Sequence, residues 1–231
     1  MSQNKIGTLS EKSVHSFIKD YIDPSKNNQE VKVGSFIADV KIDNTIYEVQ
    51  TAQYRNLVIK LNYYAKNNLK VIVVMPIIQN KIINWIDPYN NEVVEIRKTS
   101  HKGVIQDYFK EIYWLSDFIR DKQIELWLFH IDVNEYKYLD GYGTNNKKRA
   151  TKIDKVPTNI NKIIKISNVN DLKVFVPDTL PKEFDSIQFK KHSHSNSRYI
   201  NSGLKQLREL GVISIVRKEG NKFIYKVGDS L

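Results

Sequence analysis

The sequence predicts an α/β protein with a mixed sheet, followed by a smaller unit of two helices and a hairpin. Three observations carry this. Helical and strand periodicities alternate in the order α-β-β-β-α-β up to Met75. The run Leu69–Met75 (LKVIVVM) is continuously apolar, as suits a strand covered on both faces. Phe184–Val227 then carries two helical stripes and a short strand pair. With 231 residues, 41% of them hydrophobic, the chain can form one large domain or two small ones. The expected divisions are 1–139, a basic connecting segment 140–180, and 181–231.

Val14, Phe17, Ile18 and Tyr21 lie at helical spacing, which predicts a helix over Leu9–Ile22 with Thr8 or Ser10 as its cap. Pro24 ends it. Glu30–Val33, Ser35–Ile42 and Thr45–Gln50 read as strands, the last two joined by a turn at Asp43-Asn44. Leu57, Val58, Leu61 and Tyr64 predict a helix over Tyr54–Asn67. Further strands are expected at Leu69–Met75, Lys81–Ile86, Val93–Arg97 and Ile124–Val133, with a helix over Val104–Arg120. Asp140–Thr158 is polar, basic and glycine-containing, and reads as a linker or a DNA-contacting loop. Asn159–Ile166 reads as a short helix.

The hairpin FIADVKIDNTIYEVQT carries the chemistry. A turn at Asp43-Asn44 pairs Ile42 with Thr45 and sets Asp39 opposite Glu48. Gln50, Ile37 and Lys41 share their face, while Ala38, Val40, Tyr47 and Val49 take the core side. Two carboxylates opposed on a sheet, with Cβ atoms about 5 Å apart, repel each other. A divalent cation between them turns that cost into binding energy. Mg²⁺ prefers oxygen ligands and keeps waters, leaving room for a phosphate. It can also lower the pKa of an attacking water and stabilise charge at phosphorus. A polar face without metal is the plainer alternative.

This arrangement resembles the PD-(D/E)xK, or restriction-endonuclease-like, nuclease superfamily, over roughly residues 5–75. The resemblance implies an αβββαβ core with Asp39 at the Asp position and Glu48-Val49-Gln50 at the E-x-K position, as an E-x-Q variant. It implies Asp39 and Glu48 as ligands of Mg²⁺ or Mn²⁺, with Glu11 on the first helix as a further ligand. Gln has no positive charge and cannot act as a general base, although its amide can orient a water. Some members move the lysine to the following helix, and Lys60 is the residue here that could fill that role. The plain alternatives are a solvated helix lysine for Lys60 and a first-turn carboxylate favoured by the helix dipole for Glu11.

The net charge is +10. Residues 1–144 hold 18 basic and 18 acidic side chains, whereas residues 145–231 hold 18 and 8. A uniform compositional bias does not segregate charge in this way; a polyanionic partner does, with nucleic acid first. Tyr199, Ile200, Leu204, Leu207 and Leu210 form the apolar stripe of a helix over Ser197–Leu210, after a helix over Phe184–Lys191. Gly211 stops the second helix, and a hairpin turns at Glu219-Gly220-Asn221. This pattern resembles a winged helix-turn-helix domain. The resemblance makes Ser197–Leu210 the recognition helix, with Asn196, Arg198 and Asn201 near its start placed for base edges and Lys205 further along its polar face. Lys190 and Lys191 suit phosphates, and Arg217, Lys218 and Lys222 form the wing tip.

There is no cysteine, which excludes a disulfide framework, a Cys-based zinc site and a Cys nucleophile. The start, MSQNKIGTLSEKS, has no apolar signal core, and no run is long enough to cross a bilayer. The expectation is a cytoplasmic, metal-dependent DNA endonuclease acting on double-stranded DNA. A homodimer is compatible with it, and no membrane partner is expected. The rival is a non-catalytic DNA-binding regulator that keeps a degenerate nuclease fold as a scaffold.

Overall fold

The computed structural model describes residues 13–141 and 150–228. Helix α1 (Ser13–Ile22) leads into β1 (Gln29–Val33), β2 (Phe36–Ile42) and β3 (Thr45–Val49). Helix α2 (Tyr54–Lys66) then connects to β4 (Lys70–Ile86), followed by β5 (Val93–Lys98). Two short helices, α3 (Phe109–Ile112) and α4 (Ser116–Arg120), precede β6 (Ile124–Tyr138) and β7 (Thr151–Ile166). The last part is β8 (Glu183–Phe184), α5 (Ser186–Ser193), α6 (Ile200–Glu209), β9 (Ile213–Glu219) and β10 (Lys222–Val227).

The fold is α/β with a mixed sheet. Strand order is β1-β2-β3-β4-β6-β7, with β5 paired to the far half of β4. β4 runs parallel to both β3 and β6, and the other pairs are antiparallel. Alternate residues of β4 face opposite layers. Val71, Val73 and Met75 pack with α2, while Ile72 and Val74 pack with Val14 and Ile18 of α1. Both faces are therefore covered, as the apolar run predicts.

Lys70–Met75 and Lys81–Ile86 are one strand rather than two. β3 ends opposite Val74, so at Pro76 one side of β4 has no partner and the missing N–H is tolerated there. The expected helix over Val104–Arg120 is broken into a 3₁₀ turn, α3 and α4. Ser116 Oγ donates to Tyr113 O at 3.0 Å, offering the backbone an alternative to a continuous helix.

The segment 140–180, expected as a linker, contains β7, and Asn159–Ile166 is part of that strand rather than a helix. The pairing with β6 shifts register between His130 and Ile131, between Asp132 and Val133, and between Tyr136 and Lys137. Each shift gives β7 an extra residue and changes which face follows. Ile160, Ile163 and Ile164 thereby acquire a helix-like spacing while lying in a strand.

The three-stranded antiparallel sheet β8-β10-β9 packs with α5 and α6. One apolar cluster runs from the α2 layer through Phe109 and Phe175 to Phe189 and Leu204. A Cβ on Gly203 would meet the Phe109 ring at 2.2 Å, so α6 approaches α3 where only glycine fits. Ser195 Oγ also donates to Asp107 Oδ1 at 2.6 Å. The C-terminal unit is thus packed onto the main sheet's helical layer. Among the described residues, no helix is long and apolar enough to cross a membrane.

Candidate functional site

The β2–β3 register is the one expected from the turn: Ile42 pairs with Thr45, Lys41 with Ile46 and Val40 with Tyr47. The ladder ends there, and Asp39 and Glu48 are the next residues out on each strand. Asp39 Oδ2 accepts the Val49 N–H at 2.7 Å, supplying a partner where the ladder has stopped. Gln50 N donates to Val74 O at 2.9 Å, which holds the end of β3 against β4.

The face expected to be open is covered. Glu48 is 1% exposed, and Ile46 on the same side of β3 is in the α2 core, whereas Ile37 is 53% exposed. Lys60 and Tyr64 lie one turn apart on α2 and reach the same carboxylate. Lys60 Nζ donates to Glu48 Oε2 at 2.7 Å and to Ile37 O at 2.7 Å. Tyr64 OH donates to Glu48 Oε1 at 2.9 Å. Asp39 Oδ2 is instead 3.2 Å from His15 Nε2 on α1. The two carboxylates are thus anchored by helices on opposite faces of the sheet.

They remain close enough to feel each other. Burial pushes the Glu48 carboxyl up, and the Asp39 charge pushes it further. Lys60, and the hydrogen bonds from Lys60 and Tyr64, only partly offset this, leaving Glu48 at about 7. The same burial, with Glu48 beside it, raises the Tyr64 hydroxyl well above its usual value.

A divalent cation fits the charge of this pair, because one lysine does not balance two carboxylates, one of them buried. The ligand count is less complete. Among the described residues, no group of three or more His, Asp and Glu side chains is gathered to hold a metal. Glu11 lies outside the described residues. Gln50 Nε2 donates to Ala52 O, so its amide is turned along the chain. Gln50 and Lys60 nevertheless line one open cavity of about 450 Å³ with Gln53 and Asn56.

In the C-terminal unit, all nine residues expected to meet DNA are exposed. Lys190, Lys191, Arg198 and Asn201 converge on one cleft of about 440 Å³ between α5 and α6. The others are differently engaged. Helix α6 begins at Ile200, so Asn196 and Arg198 precede it rather than opening it. Asn196 Nδ2 lies 3.0 Å from His101 Nδ1, which turns it toward the main sheet's loops. Lys205 Nζ is 3.7 Å from Glu209 Oε1. Arg217 is held by Glu183 and Glu219, Lys222 is 3.4 Å from Asp185, and Lys218 lies over the Phe223 ring.

Sequence reasoning missed His15 and Tyr64. The spacing Lys60–Tyr64 was the available signal, since it puts both on one face of α2. Nothing local marks His15 as the partner of Asp39; strand β2 brings them together across 24 residues.

The family model "Domain of unknown function (DUF8091)" matches residues 12–167, and the chain belongs to that family. No curated protein and no solved structure matches the chain. The match spans the mixed sheet, including the hairpin and β7, and stops before α5, α6 and the second sheet.

Proposed function

For this member of the DUF8091 family we propose a metal-dependent DNA endonuclease that hydrolyses phosphodiester bonds, built on a restriction-endonuclease-like core with a C-terminal winged helix. The observation that carries this reading is the buried Glu48 beside Asp39 with Lys60 donating to it. Lys60 supplies from α2 the cation that Gln50 lacks in the E-x-K position.

Asp39 and Glu48 would hold Mg²⁺ or Mn²⁺, with Glu11 as the further ligand that the family resemblance supplies. The metal, when bound, provides a water of lowered pKa and charge neutralisation at phosphorus. Lys60 fixes the Glu48 carboxylate against α2 and keeps a positive charge at the site. The Gln50 amide, once released from Ala52 O, can orient a water by donating and accepting. The cleft lined by Lys190, Lys191, Arg198 and Asn201 would take duplex DNA through its phosphates and base edges. Cutting both strands requires two such sites, which favours a homodimer on DNA.

One observation favours a second reading, a non-catalytic DNA-binding regulator. Both Glu48 oxygens already have protein partners, and Asp39 is tied to His15 from the opposite face. The test is plasmid DNA incubated with Mg²⁺ or Mn²⁺, comparing the wild type with Asp39→Ala and Glu48→Ala. The expected result is metal-dependent cleavage that each variant lowers by at least about 10³-fold. Binding without cleavage across a broad panel of DNAs supports the regulator instead.

A further inference from the structure

Outside the hairpin, a second charged cluster lies on the same sheet face as α1. Glu135 of β6 is 1% exposed. Lys81 Nζ lies 3.2 Å from it, Lys137 Nζ 3.3 Å and Lys152 Nζ 3.8 Å. Lys155 is its direct partner across the β6–β7 pair. Despite these four lysines, neither Glu135 oxygen accepts a hydrogen bond of good geometry. Lys81 and Lys137 hold the carboxylate as close ion pairs, and Lys152 stands further off.

These lysines are not balanced. Asp154 is the other carboxylate at the site, and it is engaged by Ser13 and by the Lys155 backbone N–H at 2.7 Å. Counting both acids, four ammonium groups still leave two positive charges. Like charges crowded into a half-buried space are unfavourable unless an anion relieves them. Burial holds the Lys155 ammonium below its ordinary value; Glu135 opposes this, and the neighbouring lysines add to the fall. A scaffold whose only task was to neutralise Glu135 would need one lysine.

The cluster borders a cavity of about 410 Å³ lined by Lys152, Lys155, Glu135, Asp154 and Thr51, among others, while Lys81 and Lys137 pair with Glu135 outside that lining. That volume accommodates a phosphate with its waters. Thr51 follows Gln50 directly, so the cavity opens at the end of β3 that carries the carboxylate hairpin.

We propose that this cavity is a phosphate-binding site, in which Lys152 and Lys155 grip the anion and Glu135 gathers the lysines around it. The site does not depend on the cleavage chemistry proposed above. Its ligand is a phosphate group, carried by a DNA backbone, by a 5′-phosphorylated strand end or by a small molecule.

The experiment titrates full-length protein with inorganic phosphate by calorimetry, at constant ionic strength in chloride and without divalent metal. Saturable binding is expected. Lys152→Gln and Lys155→Gln should each weaken it by about tenfold. Lys70→Gln, at an exposed lysine paired elsewhere with Glu125, should leave it unchanged. Lys152 is more than half exposed, so its variant should fold and keeps the test decisive. Competition then identifies the source. A 5′-phosphorylated oligonucleotide that displaces phosphate better than its 5′-hydroxyl form assigns a strand end. Equal displacement assigns the backbone, and none assigns a small molecule. Absence of saturable phosphate binding, or binding unchanged in both lysine variants, overturns the proposal.

Discussion

Two buried glutamates share one sheet and have opposite electrostatics. Glu48 faces α2 with a single lysine and a second carboxylate nearby, and its carboxyl is pushed up to about 7. Glu135 suffers burial too, which alone would raise it, but Lys81, Lys137 and Lys155 outweigh that and hold it below its ordinary value. Burial is common to both, so the difference lies in the counter-charge each neighbourhood supplies. The first site is short of positive charge and the second has too much. The proposed cation site lies at the first and the proposed anion site at the second.

The comparison can be broken most sharply by removing one lysine from each site. Lys60→Met leaves Glu48 buried with no cation. At pH 8 it should cost about 3 kcal/mol in urea unfolding. At pH 5 the loss should shrink, because Glu48 is then protonated in either protein. Lys137→Met leaves three lysines around Glu135, and its cost should be clearly smaller than that of Lys60→Met. Equal losses at pH 8 would remove the distinction between the sites.

The pH dependence should also run in opposite directions. The native state holds a proton on Glu48 that the unfolded state has released between pH 4.5 and about 7. Its contribution to stability therefore falls as pH climbs through that window. Glu48→Gln should abolish that fall, seen as a flatter difference curve in thermal unfolding against pH. Glu135 contributes in the other sense: its stabilisation is present above the ordinary carboxylate range and is lost as pH drops. Glu135→Gln should therefore destabilise at neutral pH and have progressively less effect in acid. The smallest effect is expected for Lys152→Gln. It relieves repulsion at an exposed lysine and should change stability by no more than about 0.5 kcal/mol in either direction.

Much of the first site was legible in the sequence. The Asp43-Asn44 turn fixes the β2–β3 register, and that register alone brings Asp39 and Glu48 to neighbouring positions. Lys60 was legible through helical spacing and the family resemblance. The second site was not, because the sequence of β7 has the pattern of a linker and a helix. Its three bulges scramble the period-two alternation from which a strand is recognised, and they displace Lys152 and Lys155 from any regular pattern. The face of Glu48 was misread for a related reason. Alternation places it opposite Val49, but only tertiary packing says that α2 covers that side. Nothing local signals that Asn196 meets His101, which lies 95 residues away in another loop.

The most direct measurement follows the Glu48 carboxyl by NMR titration, with and without Mg²⁺. A cation site predicts a pKa near 7 in the metal-free protein and a marked fall when Mg²⁺ is added, with Asp39→Ala abolishing the Mg²⁺ response. A Glu48 carboxyl that titrates near 7 and ignores Mg²⁺ at millimolar excess would contradict the metal site, and with it the proposed nuclease.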